Sequence, residues 1–225
     1  MKQRILLSVC MVLVFPWLCR AQSFNKRQPL VDVREIKEIT IFAPYSQIEV
    51  VGKGMEQVHF DSASLVASKL NLELLYEKKD LFENVYFHSI LDSSRMESYS
   101  RELVHLAEKA SKNSPLEDLR IGPSLHALME QAGTRYGLMV FHDGFVRKKG
   151  NMAGELMKSV ALGVATMGNY TDVPASYQSN VFFFIIDKDS GHAVYAKKYE
   201  GVESHPLKKK SLAGQYKVLL KDFYD

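Results

Sequence analysis

The chain has 225 residues, of which 46% are hydrophobic and 24% are charged. It carries 29 Lys and Arg against 26 Asp and Glu, a formal net charge of +3. A chain of this size buries roughly 70% of its unfolded surface and can form a core without disulfides. So weak a charge excess does not predict the clustered basic surface that nucleic-acid binding requires, and no nucleic-acid partner is expected.

The first 21 residues have the three-part layout of an export signal. Lys2 and Arg4 form a basic start, an apolar run covers 5–18, and the small residue Ala21 precedes Gln22. The apolar run is shorter than the roughly 20 residues that a transmembrane helix needs. We therefore predict a signal peptide that is cleaved between Ala21 and Gln22, with no transmembrane segment after its removal.

Removal of the signal changes the chemistry of the remaining protein. Both cysteines, Cys10 and Cys19, lie in the signal, so the mature chain has no thiol for disulfides or catalysis. Three of the 29 basic residues also lie there, which leaves 26 against 26 acidic ones. Trp17 and Leu18 stand before Cys19 where a lipoprotein signal carries small residues, so lipid anchoring at Cys19 is not favoured. These features predict an exported bacterial envelope protein, periplasmic or secreted.

Residues 22–35 are polar and mixed in charge, and they predict a tether that leads into a single domain over 36–225. The domain opens with a β-branched and aromatic strand, Ile39–Ala43. Pro44 is expected to end this strand because proline has no backbone donor. A second short strand is expected over Val85–Phe87.

Helical spacing of apolar residues predicts five helices, over Ser62–Leu75, Arg95–Ser111, Pro123–Ala132, Gly150–Gly168 and Ser211–Phe223. Asp61 suits the N-cap of the first helix. Pro123 suits the first turn of the third helix, and Gly133 the left-handed residue after its end. For Gly150–Gly168 a core helix is preferred to a membrane-touching segment, because that stretch lacks the strongly charged face of interfacial helices.

Two further patterns predict the rest of the sheet. Leu138–Phe141 is an almost continuous apolar strand, which is typical of a sheet covered on both faces. Val181–Ile186 and Ala193–Tyr199 flank the turn residues 187–191 and predict a β-hairpin. The element order predicts a three-layer α/β domain: a mixed, mostly parallel sheet flanked by helices, with a C-terminal antiparallel hairpin and a terminal helix.

Three stretches resemble a group of bacterial envelope domains. They are the strand Ile39–Pro44, the helix, turn and strand of Ala132–Val140, and a hairpin marked by Phe183, Ile185, Asp187, Ser190, Gly191 and Tyr195. In these stretches the chain resembles the amino-terminal domain of the Tol propeller protein and the periplasmic domain of the curli secretion lipoprotein. The resemblance implies envelope assembly or protein docking, and it implies no catalytic residues.

Polar residues follow two of the predicted strands. Ligands of open parallel sheets bind outside the carboxyl ends of the strands, where Ser46, His142 and Asp143 would lie. His142 and Asp143 could act as an acid/base pair or supply metal ligands, although neighbours on an extended strand point to opposite faces. They are the candidate catalytic residues, and Ser46 and Asp61 are the candidate ligand-binding residues.

The known catalytic and cofactor motifs are missing from the sequence. There is no helical zinc-hydrolase motif, nucleophile elbow, phosphate-binding loop or calcium loop, so neither a metal nor a cofactor is predicted. The first hypothesis is a non-enzymatic envelope protein that binds another envelope protein or associates with itself. The second is a small-ligand-binding protein or hydrolase that uses a cleft near Ser46, His142 and Asp143.

Overall fold

The computed structural model describes residues 27–52, 57–59, 61–90, 92–147 and 175–224. The predicted signal peptide, its cleavage site between Ala21 and Gln22, and Cys19 lie outside these residues. The predicted helix over Gly150–Gly168 also lies outside them.

The described residues form one mixed sheet with helices packed on it. The strands are β1 (Glu38–Phe42), β2 (Tyr45–Val51), β3 (Gln57–His59), β4 (Asn84–His88), β5 (Tyr136–Arg147), β6 (Tyr177–Asp187) and β7 (His192–Val202). The helices are α1 (Asp61–Glu77), α2 (Ser93–Ser111), α3 (Pro123–Ala132) and α4 (Lys209–Leu219). Short 3₁₀ turns cover Val33–Glu35, Lys79–Leu81, Leu116–Asp118 and Lys221–Phe223.

Strand β5 is the centre of the sheet. One side of it pairs antiparallel with β6 along almost its whole length, and β6 pairs antiparallel with β7. Its other side pairs in parallel with two strands in succession, first β1 at Thr40 and Gly137 and then β2 at Ser46 and His142. Beyond these, β4 lies parallel to β1 and β3 antiparallel to β2.

The prediction of a mostly parallel sheet is wrong, because the sheet is mixed and mostly antiparallel. The hairpin is present, but each of its strands has 11 residues and is longer than predicted. The ladders of β6 with β5 and with β7 are therefore the longest in the sheet. The parallel strand β1, by contrast, has only five residues.

Pro44 interrupts the first strand without turning the chain away from the sheet. The predicted strand is confirmed as β1, which lies between β4 and β5 and ends at Phe42. After Ala43 and Pro44 the chain resumes as β2 and pairs with the second half of β5. The missing proline N–H thus explains a gap in the ladder, and β2 continues where the sequence predicted no regular structure.

The helices cover both faces of the sheet, which confirms the three-layer arrangement. Successive side chains of β5 alternate between the two faces, as the pleat of a strand requires. Leu138 and Val140 pack in the core that contains Leu74 of α1 and Leu212 of α4. Met139 and Phe141, on the other face, pack in the core formed with α2 and α3.

The predicted boundaries of helix α3 are confirmed, and a side chain of α2 caps its N terminus. Gly133 has a φ of +76°, so the helix ends in the left-handed conformation that glycine adopts without strain. At the other end, Gly122 has no side chain to cap the helix. The Glu102 carboxylate of α2 instead accepts from the backbone N–H groups of Ser124 and Leu125, each at 2.9 Å.

The described part of the predicted tether packs against the domain. Leu30 N donates to Val194 O of β7 at 2.9 Å, and Val33 and Ile36 are buried in the core. Residues 27–35 therefore form a fixed contact with the sheet. None of the helices in the described ranges is both long and apolar enough to cross a bilayer.

Candidate functional site

The structure places three of the four candidate residues, Ser46, His142 and Asp143, inside strands. Ser46 lies in β2 directly opposite His142 of β5, and β5 continues to Arg147. The strand was expected to stop at Phe141 because three polar or small residues follow it. Since the strand runs on, Ser46 and His142 lie within paired strands and not beyond a strand end.

Gly144 lies within β5, where β6 comes unusually close. It pairs with Ser179 of β6, and a Cβ added to it would lie 2.2 Å from the carbonyl oxygen of Gln178. The glycine is therefore required by the close approach of the neighbouring backbone.

His142 is fully buried in a polar cluster beneath α1 and α4. Its Nδ1 lies 3.0 Å from Asn71 Nδ2 of α1, and its Nε2 lies 2.9 Å from Ser179 Oγ of β6. Asn71 also accepts a hydrogen bond from the Tyr216 hydroxyl at 3.0 Å. Gln215 of α4 completes the set by accepting from the Ser179 hydroxyl at 3.1 Å. We call these five residues the His142 cluster.

The proton positions in the His142 cluster follow from its partners. Asn71 Nδ2 donates to the carbonyl oxygen of Ala67 at 2.9 Å, which identifies that atom as the amide nitrogen. His142 Nδ1 must then accept from it, and the neutral ring donates from Nε2 to Ser179 Oγ. In a protonated ring, the added proton on Nδ1 would face the Asn71 Nδ2 group, which is itself a donor. Burial favours the neutral ring as well, and it lowers the pKa of His142 to about 3.

The four candidate residues do not converge on one space. Ser46 is buried beside the His142 cluster, with its Oγ 3.4 Å from Asn71 Nδ2. Asp61 is exposed at the first residue of α1. Asp143 points to the opposite face from His142, as the alternation of a strand predicts. With both ring nitrogens bonded and no exposed surface, His142 is placed to stabilise the fold.

Asp143 lines an open cavity of about 320 Å³ on the α2 face of the sheet. Gln47 and Glu49 of β2, Glu108 of α2 and Asn180 of β6 share this cavity. Burial raises the pKa of Asp143 to about 6, against a hydrogen bond from Asn180 that lowers it. Among the described residues its Oδ1 has no hydrogen-bond partner although the atom is buried. The carboxyl group could therefore accept a hydrogen bond from a ligand that enters the cavity.

A larger groove lies beside strand β7, with a volume of about 1140 Å³. Ala196 and Lys198 of β7 form one side of it, and Lys217 and Val218 of α4 form another. Arg27, Glu77 at the end of α1 and Tyr224 near the C terminus also line it. We call this the β7 groove. It follows an edge of the sheet, since β7 pairs only with β6 among the strands that the structure describes.

The partners of His142 and the β7 groove were not predicted from the sequence. Asn71, Gln215 and Ser179 are polar residues at inward-facing positions, and such positions are a signal for a buried polar cluster. The hydrophobic pattern of the sequence does not identify these positions, because in α1 the polar Asn71 is buried and the apolar Leu65 is exposed. The described residues contain no cluster of three or more His, Cys, Asp or Glu that could hold a metal ion.

Comparisons with known proteins assign no family to the chain. No family model and no curated protein matches it. Among solved structures, two crystal forms of a PelC dodecamer from Paraburkholderia phytofirmans are similar to it. They align with 11% and 12% identity over 84% and 83% of this chain and 88% and 87% of the PelC chain, with TM-scores of 0.36 and 0.35. Similarity at this level supports no conclusion about function.

Proposed function

We propose that the protein is an exported, non-enzymatic component of a bacterial envelope that docks another protein along the β7 groove. The predicted signal peptide supports export. The resemblance to envelope assembly domains, which rests on short stretches of sequence, favours the same setting. The partner is another envelope protein or a second copy of this chain.

The β7 groove is the observation that carries this proposal. It has a volume of about 1140 Å³ and both apolar and charged walls, which is the composition of a docking surface. Few residues of the groove can be anticipated from the sequence, because they come from β7, α4, the end of α1 and the C terminus.

The state of His142 favours binding over catalysis. A general base must lie within hydrogen-bonding reach of its substrate. Both nitrogens of the His142 ring are bonded to side chains, and burial keeps the ring neutral. Among the described residues, the strongest candidate for acid/base chemistry thus has no face to present to a substrate.

Site-specific photo-crosslinking in the native envelope tests the docking function. Crosslinking residues at Lys217 and Tyr224 report on the β7 groove, and one at the exposed Glu130 of α3 serves as the matched control. Adducts from the two groove positions and none from Glu130 would support the proposal. Equal labelling at all three positions, or none, would contradict it. Amino-terminal sequencing of the exported protein tests the signal peptide, with Gln22 expected as the first residue.

A second candidate function is small-ligand binding at Asp143, favoured by its buried Oδ1 without a described partner. The ligand would have to donate a hydrogen bond, as an amine does. Calorimetric titration with ethanolamine and putrescine at pH 7.5 tests this, with Asp143→Asn as the control. Binding that the substitution abolishes would support the candidate. The absence of binding, or equal binding by the variant, would contradict it.

A further inference from the structure

We propose that helix α1 is a second interaction surface, through which two copies of this chain form an antiparallel, two-fold symmetric dimer. The surface is an apolar stripe on the outer face of the helix, formed by Leu65, Leu72 and Tyr76. We call it the α1 stripe. None of these three side chains lines the β7 groove, and the dimer is therefore distinct from the docking proposed for that groove.

Helix α1 has apolar side chains on two opposite faces. Its inner face packs on the sheet through residues such as Ala63 and Leu74, which are buried. Leu65, Leu72 and Tyr76 are spaced by seven and four residues, so they lie within about 40° of one another around the helix and opposite the inner face. A helix that is apolar on all sides is normally covered on all sides. The outer face of α1 therefore requires a cover.

The α1 stripe is exposed to solvent in the single chain. The exposed fractions are 72% for Leu65, 40% for Leu72 and 57% for Tyr76. Phe87 of β4 extends the stripe at one end, because its ring centroid lies 5.5 Å from that of Tyr76 and the side chain is itself exposed. Single exposed apolar side chains are ordinary, but a group of them on one face marks an interaction site.

The charges beside the stripe favour a protein partner over a lipid surface. Helices that lie on membranes have a polar face rich in lysine and arginine. On α1 the exposed Lys69 lies on the same flank of the stripe as the acidic Glu73 and Glu77. A flank that carries both signs can complement a second copy of itself.

A reversed copy of α1 matches the stripe in one register. A two-fold axis midway between Lys69 and Leu72 places Leu65 of each copy opposite Tyr76 of the other. The same axis places Lys69 opposite Leu72, where the apolar stem of the lysine covers the leucine. Such an interface is isologous, so that every contact occurs twice.

This register also brings opposite charges together. The two-fold axis sets the flank of one helix that carries Lys69 and Glu73 against the same flank of the other helix. Residue 73 follows residue 72, which faces Lys69, so each Lys69 ammonium group meets the Glu73 carboxylate of the other copy. Glu73 already accepts from Lys209 at 3.3 Å, but a carboxylate has lone pairs for a second ammonium group.

The length of the stripe sets the expected affinity. Helix α1 has 17 residues and is about 25 Å long. One helix from each copy forms an interface at the small end of those found in specific complexes. We therefore expect a reversible dimer with a dissociation constant in the micromolar range.

Sedimentation equilibrium of the exported, purified protein over a range of concentrations tests the dimer. A reversible equilibrium between monomer and dimer is the expected result. Leu72→Lys should weaken it at least about tenfold, because the new lysine lies opposite Lys69 of the other copy. Leu30→Lys is the matched control and should have no effect, since Leu30 is a leucine of similar exposure, 42%, that lies outside α1.

Charge reversal tests the register. Lys69→Glu or Glu73→Lys alone replaces both attractive pairs with repulsive ones, and each should weaken the dimer about tenfold. An equimolar mixture of the two single variants contains both attractive pairs again, in a heterodimer. The double variant contains them with the signs exchanged. Both should associate as tightly as the parent protein.

Four outcomes would overturn the proposal. They are a monomer at every concentration, equal effects of Leu72→Lys and Leu30→Lys, no recovery in the mixture of single variants, and a monomer that floats with vesicles of phosphatidylethanolamine and phosphatidylglycerol unless it carries Leu72→Lys. The last result would assign the α1 stripe to a lipid surface. Crosslinks at Lys217 and Tyr224 test the docking function separately, because neither residue belongs to the stripe.

Discussion

His142 on β5 and Asn71 on α1 lie 3.0 Å apart, ring Nδ1 to side-chain Nδ2, with neither side chain exposed to solvent. The contact joins the sheet to a helix through polar groups. Asn71→Leu would leave His142 Nδ1 without its donor and the Tyr216 hydroxyl with only the long 3.5 Å bond to the backbone carbonyl of residue 71. We expect the free energy of unfolding, measured by urea denaturation, to fall by about 2 to 4 kcal/mol.

Tyr216→Phe is the matched control for this contact. It removes only the hydroxyl that donates to Asn71 Oδ1 and keeps the bond between Asn71 and His142. The expected loss is about 1 kcal/mol. Equal losses in the two variants would show that the bond to His142 contributes nothing.

The pKa of His142 makes its contribution to stability depend on pH. The unfolded ring takes up a proton below pH 6.5, whereas burial keeps the folded ring neutral down to about pH 3. Between these values the unfolded state binds one more proton than the folded state. This group therefore lowers stability by about 1.4 kcal/mol for each unit of acidification. In His142→Gln this slope should be absent, as urea denaturation at a series of pH values would show.

Asp143 has the opposite pH dependence, because burial raises its pKa from 3.8 to about 6. Between these values the folded state binds the extra proton, so this group destabilises the fold as the pH rises. Asp143→Asn should therefore be more stable than the parent protein at pH 7.5 and lose that advantage by pH 4. Thermal unfolding at the two pH values measures this. An advantage that is equal at both would refute the proposed titration.

Glu102 caps α3 from α2, and its removal should loosen the contact between the two helices. Glu102→Gln removes the charge that the helix N terminus favours and one of the two acceptor oxygens. We expect a loss of about 1 kcal/mol in urea denaturation. Glu97→Gln is the control, since Glu97 is exposed on α2 and pairs with the exposed Arg101. That change should stay within about 0.5 kcal/mol.

Gly144 is required where β5 and β6 approach each other. Gly144→Ala would place a methyl group against the Gln178 carbonyl, and a loss of about 1 to 3 kcal/mol in thermal unfolding is expected. Gly214→Ala on the exposed side of α4 is the opposite case, because nothing lies within 4 Å of the added Cβ. That variant should gain about 0.5 to 1 kcal/mol.

Elements with local signals could be predicted from the sequence. Helix α3 was recognisable because Pro123 and Gly133 mark its ends and its apolar residues line one face. The hairpin was recognisable from the turn before Gly191, whose φ is +69°. Both depend on interactions between residues close in sequence.

The parts that could not be predicted depend on partners far along the chain. His142, Asp143 and Gly144 look like the end of a strand because their local pattern is polar. They belong to the strand because Ser46, Ser179 and Asn71 lie beside them, and no local pattern reports this. The orientation of β5 relative to β6 was missed for the same reason, since it depends on the course of a long connection.

The arrangement around β5 also has a consequence for how the chain reaches this fold. Its partners β1 and β2 come from the beginning of the domain, so pairing with them requires closure of a long loop and a large loss of chain entropy. The β6 and β7 ladder closes across a short turn at much smaller entropic cost. The hairpin is therefore the region in which ordered structure can form first, before β5 pairs with β1 and β2. The β7 edge would then be complete early, exposed to other chains while the rest of the sheet is still assembling.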